Sequence, residues 1–159
     1  MSYKLNIGDQ LPTFKGKDHT GHYFSSEDVM GGPIVMYFYP KDNTPGCTKE
    51  ACSFRDHMDH FDAFDAIVIG VSPDNAQSHE AFIESHGLNF TLLTDESLDI
   101  CRKFDVVKER QENGKNSPYI ERTTFIIDSR GIIRWIECPV NVEGHTERVL
   151  KALKESSER

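Results

Sequence analysis

Ile34-Val-Met-Tyr-Phe-Tyr-Pro-Lys-Asp-Asn-Thr-Pro-Gly-Cys-Thr-Lys-Glu-Ala-Cys52 decides the reading of this chain. Ile34 to Tyr39 is a short, continuous apolar run, the pattern of a strand buried on both faces. Pro40 ends it, and Lys41, Asp42 and Asn43 turn the chain. Thr44-Pro45 then reads as a helix start, with a hydroxyl at the cap and proline at the first helical position. Cys47 therefore falls in the first turn of a helix, just outside a sheet. The backbone N–H groups there lack intrahelical partners and carry about half a positive charge. A thiolate is favoured over a thiol in such a place, which makes Cys47 the expected nucleophile.

Working outward, strands alternate with helices. The pattern predicts a hairpin from Phe14–Lys17 and His22–Ser25 across Asp18-His-Thr-Gly21, then a short helix from Ser25 ending near Gly31-Gly32. Beyond the central strand it predicts a helix from Thr44 to Phe61, with Ala51, Phe54, Met58 and Phe61 as its buried stripe. A strand at Ala66–Val71 and a helix from Asn75 to His86, stopped by Gly87, come next. Phe90–Leu93 is read as a strand and Leu98–Phe104 as a short helix. Residues 106–118 are read as a mobile polar loop. Thr123–Ile127 and Ile132–Ile136 form a hairpin, and a last helix begins near Thr146 and frays from Glu155. The expected architecture is one α/β domain over residues 1–159: a three-layer α/β/α sandwich with a mixed central sheet, extended at residues 1–32 by an N-terminal hairpin.

These residues also carry a family resemblance. Pro40-x-x-x-Thr44-x-x-Cys47 resembles the signature of the peroxiredoxins, cysteine-based peroxidases on a thioredoxin-like fold. Thr44-Pro-Gly-Cys-Thr48 with Cys52 is similar to the subgroup called bacterioferritin comigratory protein or peroxiredoxin Q. Glu50 and the segment Glu121-Arg-Thr-Thr-Phe-Ile-Ile-Asp128 fit the same pattern. The likeness departs after Phe104, where many members have Gly-Val-Trp and this chain has Asp105-Val106-Val107.

The resemblance implies a thiol peroxidase acting on hydrogen peroxide and organic hydroperoxides. Cys47 attacks, Thr44 and Arg122 hold the thiolate and the peroxide oxygens, Pro40 shields the sulfur from solvent and fixes the turn, and Gly46 belongs to the pocket's surroundings. Glu50 orients Arg122, and Phe82 walls the pocket. Cys52 resolves the sulfenic acid as an intramolecular disulfide. On an intact helix the two Cα atoms would lie about 8–9 Å apart, beyond the roughly 7 Å a disulfide tolerates, so the helix must unwind in each cycle. The resemblance further implies a thioredoxin-like dithiol as reductant, no prosthetic cofactor and a monomer. Cys101 and Cys138 read as packing thiols, with Cys138 partly exposed at a bend.

Other readings are weaker. A disulfide oxidoreductase of this fold normally uses Cys-x-x-Cys, which is missing; a peroxide sensor without turnover would share the same nucleophile. Cys47, Cys52, His57 and His60 have a spacing reminiscent of zinc ligands, but on one helix they point to about 0°, 140°, 280° and 220° and cannot converge on one ion. The net charge of −8 disfavours nucleic acid and anionic membranes as partners. Apolar runs of about six residues fall far short of the roughly 20 a spanning helix needs. The first residues lack the apolar centre of a signal peptide, so a cytoplasmic, reducing location is expected, in which four cysteines are thiols and not a disulfide framework.

Overall fold

Because Ile34–Phe38 alternates its side chains across a pleated strand, Ile34, Met36 and Phe38 enter one apolar cluster while Val35 and Tyr37 enter another. All five residues are buried. Two cores therefore sit on opposite faces of one sheet. The computed structural model describes residues 5–28 and 31–157. Its elements run β1 (Lys15–Asp18), β2 (Tyr23–Ser25), β3 (Ile34–Phe38), α1 (Pro45–Asp56), α2 (Met58–Ala63), β4 (Ile67–Ser72), α3 (Ala76–His86), β5 (Thr91–Thr94), α4 (Asp99–Lys103), β6 (Val107–Glu112), β7 (Lys115–Ile120), β8 (Thr123–Ile127), β9 (Ile133–Glu137) and α5 (His145–Ser157).

Seven strands form one sheet in the order β2-β1-β5-β4-β3-β8-β9. β3, β4 and β5 are parallel, while β1 joins β5, β8 joins β3 and β9 joins β8 antiparallel. This is the expected mixed sheet. Phe54, Phe61, Phe82, Val149 and Leu153 from α1, α2, α3 and α5 fill one core; Ile100, Cys101 and Phe104, in and just after α4, fill the other. The three layers follow from those two cores, and the architecture is the thioredoxin-like sandwich.

Four expectations change. Residues 106–118 are not a loop: β6 and β7 pair antiparallel as a separate two-stranded sheet. Asn113 and Gly114 both take positive φ, 52° and 77°, the turn that matches the twist of a two-residue hairpin. Arg110 lies over the Tyr119 ring at 4.5 Å and ties the two strands together. The helix expected from Thr44 to Phe61 breaks at His57, which leaves helical geometry at φ −104° and ψ 11°. The His57 ring donates from Nδ1 to the Ser53 carbonyl at 2.8 Å, competing with the backbone ladder there. After Ser25, the last residue of β2, residues 26–28 form a turn instead of a helix, closed by the Asp28 carboxylate on the Ser25 N–H; Val29 and Met30 of that expectation lie outside the described residues. Finally, α5 does not fray at Glu155 but continues to Ser157.

Candidate active site

The site forms where β3 ends and α1 begins. Pro45 opens α1, and the first helical backbone bond runs from the Thr48 N–H to the Thr44 carbonyl at 2.8 Å. The N–H groups of Gly46 and Cys47 precede that ladder, so they are unclaimed donors around the sulfur. Cys47 is 1% exposed and packs against the second core. Thr44 does not cap the helix with its side chain; its hydroxyl donates to the Lys41 carbonyl at 3.0 Å. Its lone pairs remain free to accept. Pro40 is exposed.

Arg122 reaches this helix start from the edge of β8. Side chains alternate along that strand, so Arg122, Thr124 and Ile126 share the face that carries α1 and α5, while Phe125 enters the opposite core. The Arg122 backbone carbonyl accepts from the Val140 N–H at 2.8 Å, which fixes its root. Its Nη1 donates to Glu50 Oε1 at 2.8 Å, and Cys47 is near enough to act electrostatically on the guanidinium. Burial alone would lower the Arg122 pKa, but Glu50 and Cys47 beside it outweigh that and raise it. Gly46 is part of the fit: a Cβ there would stand 3.2 Å from Arg122 Nη2.

Glu50 lies one helical turn beyond Cys47 and is 1% exposed. Burial pushes its carboxyl up to about 7, against the opposing pull of Arg122. Cys52 is half-buried further along the unbroken α1, and all four cysteines are free thiols. Phe82, expected as a pocket wall, is fully buried near Tyr39 and His86 and offers no surface to solvent in this conformation. A cavity of about 260 Å3 lies at the opposite end of β3, lined by residues including Pro33, Phe64 and Arg134, away from the sulfur.

Two features escape a reading of the sequence. Asp42, read as a turn residue, is buried and holds the Pro40–Thr44 turn in place. Its Oδ1 accepts from the Tyr39 hydroxyl at 2.6 Å, and its Oδ2 accepts from the Ser78 hydroxyl at 2.8 Å and lies 2.7 Å from His79 Nδ1. Its N–H donates to Asp74 Oδ2 at 2.8 Å. The other is His145, at the start of α5, 1% exposed and 3.3 Å from Glu50 Oε2. No local pattern marks either residue, because the partners of each lie far away in the chain.

Fold and thiol together place the chain among the cysteine-based peroxidases. Comparison with known proteins agrees. Residues 7–136 match the model of the AhpC/TSA family. Peroxiredoxin Bcp of Bacillus subtilis is 43% identical over 157 residues, covering 98% of this chain and 99% of that protein. The crystal structure of a Xylella fastidiosa PrxQ C47S mutant superposes with a TM-score of 0.90 at 34% identity, over 98% of this chain and 99% of that one. The bacterioferritin comigratory protein of Xanthomonas campestris, described for its alkyl peroxide reduction activity, gives 0.87 at 37% identity, over 90% and 91% of the two chains. This chain belongs to the AhpC/TSA family, and it is a thiol peroxidase of the peroxiredoxin type.

Proposed function

We propose that Cys47 is the peroxidatic cysteine and that Arg122 and the helix start are its activating partners. The observation that carries this reading is the junction itself: one buried sulfur in the first turn of a helix, a guanidinium near enough to feel its charge, and a carboxylate holding the guanidinium. The Cys47 thiolate attacks the nearer peroxide oxygen. The O–O bond breaks, Cys47 becomes sulfenic acid, and the departing alkoxide or hydroxide takes a proton. Arg122 and the free N–H groups of the first turn stabilise negative charge moving from sulfur to oxygen. Thr44 accepts from, or turns its hydroxyl toward, the peroxide.

Cys52 then attacks the Cys47 sulfur, releasing water and forming the disulfide. A thioredoxin-like dithiol reduces that disulfide by exchange. No prosthetic group is needed, because sulfur carries both electrons at each step. The Xanthomonas relative supports alkyl hydroperoxides beside hydrogen peroxide as substrates. The protein works as a monomer in a reducing cytoplasm. A coupled assay with thioredoxin, its reductase and NADPH tests the scheme. Parent protein turns over; Cys47→Ser does not; Cys52→Ser stops after one equivalent of peroxide. Full turnover by Cys52→Ser would transfer the resolving role to another thiol.

A further inference from the structure

Four buried side-chain polar atoms lack a hydrogen-bond partner among the described residues, and two of them face each other: Glu50 Oε2 and His145 Nδ1, 3.3 Å apart. They come from different elements, α1 and the first residue of α5. Both residues are 1% exposed, so neither atom has solvent to turn to. An unpaired polar atom at such depth is costly, and the cost falls if the two bond to each other. The other ring nitrogen, Nε2, lies 3.0 Å from the Thr124 hydroxyl on β8. The ring is also packed edge-on against Phe54, at 5.4 Å between centroids and 87° between planes. That contact and the Thr124 hydroxyl hold the ring from two sides.

We propose that His145 is a positioning residue for peroxide reduction: its Nδ1–H donates to Glu50 Oε2, which leaves Oε1 aimed at Arg122 and Arg122 aimed at Cys47. This rests on the assignment of Arg122 and Cys47 above. The chain of contacts reads Thr124 hydroxyl to His145 Nε2, His145 Nδ1 to Glu50, Glu50 to Arg122, Arg122 to the sulfur. Each residue is supplied by an element already fixed in place. Thr124 lies two residues beyond Arg122 on the same strand face, so one strand anchors both ends of the chain.

The charged surroundings agree with a neutral ring acting as donor. Arg148 and Glu147 come from α5 itself, Glu137 from β9 and Arg122 from the β8 edge. Burial dominates these and pushes the ring down to about 4, so the ring is neutral at physiological pH. A neutral imidazole has one proton to give, and its place decides the matter. With Glu50 ionised the proton belongs on Nδ1, and Thr124 donates to Nε2.

Three substitutions separate positioning from packing. His145→Asn keeps an amide N–H near the place of Nδ1. His145→Gln offers one near Nε2 only. His145→Phe offers neither. The readout is the second-order rate constant for oxidation of Cys47 by hydrogen peroxide at pH 8, with thermal unfolding measured beside it. Asn should stay close to the parent, while Gln and Phe should be slower by about 10- to 100-fold, the scale on which supporting hydrogen bonds act. The proposal is overturned if all three variants match the parent, if all three slow equally while folded, or if Gln rescues and Asn does not. Should the variants not fold, 15N NMR of the parent's imidazole at pH 8 decides: the Nδ1–H tautomer supports the proposal, and the Nε2–H tautomer overturns it. A failure of Cys47 as nucleophile would be seen separately, as peroxide turnover by Cys47→Ser.

Discussion

A carboxyl group held in the dry interior beside an arginine is the residue on which the site's electrostatics balance. Burial raises Glu50 from 4.5 to about 7, so the folded protein binds its proton more tightly than the unfolded chain does. The linkage sign follows: this group's contribution to stability is fully present below its unfolded value and is lost as pH rises through about 7. A shift of that size corresponds to about 3 kcal/mol at most. His145, lowered by burial to about 4, acts in the opposite sense, losing stability as pH falls from its ordinary range toward 4. Replacing Glu50 with Gln removes the titration of that carboxyl. The difference in Tm between parent and Glu50→Gln should therefore move in favour of the variant as pH rises from about 4.5 to 7. A difference that stays flat across this window would show that Glu50 does not titrate there.

At the scale of elements, α1 has two tasks that conflict. It must be intact for Arg122, Glu50 and Cys47 to meet, yet an intact helix keeps Cys47 and Cys52 about 8–9 Å apart by its own rise and twist. The structure holds the intact form by contacts along residues 49–55. Lys49 pairs with Glu143, Ser53 and Thr146 hydroxyls meet at 2.5 Å, and Arg55 donates to the His86 carbonyl at 2.5 Å. These contacts are side-chain ties, several at the surface, and each is individually weak. Hydrogen exchange should thus show amides 47–53 opening on oxidation while β3 stays protected in both redox states. Slow exchange through 47–53 in a protein whose Cys47–Cys52 disulfide has been verified would contradict the unwinding step.

The same scale shows what can be read from residues alone. Pro40, Thr44-Pro45, the continuous apolar run of β3, and Gly87 at a φ of 59° each carry a local rule, and the elements they imply are present. The β6–β7 hairpin carried only its Asn113-Gly114 turn. Most of both strands is solvent-facing, so no apolar alternation betrays them. Arg122 was legible only through the resemblance of the segment Glu121–Asp128 to the family pattern, since an arginine before a strand is by itself an ordinary surface residue. Asp42 with Ser78 and His79, and Glu50 with His145, were not, since those partners lie 36, 37 and 95 residues apart and meet only after the sheet has assembled.

Taken as a whole, the molecule sorts its four thiols. Cys101 sits in the opposite core, where burial and the nearby Asp95 carboxylate drive its pKa far up, which keeps it protonated and inert. Cys138 is exposed just after β9, but partial burial of its sulfur and donation to Glu121 Oε1 at 2.9 Å push its pKa up as well. Cys52 lies half-buried on a helix body, with none of the first-turn donors near it. Only Cys47 joins a helix start to a guanidinium. The direct measurement is to give Cys52→Ser one equivalent of hydrogen peroxide with a sulfenic-acid trap and to map the adduct by mass spectrometry. The adduct should lie on Cys47 and disappear with Arg122→Met at the same exposure time; an adduct mainly on Cys101 or Cys138, or one formed as fast without Arg122, would contradict the account.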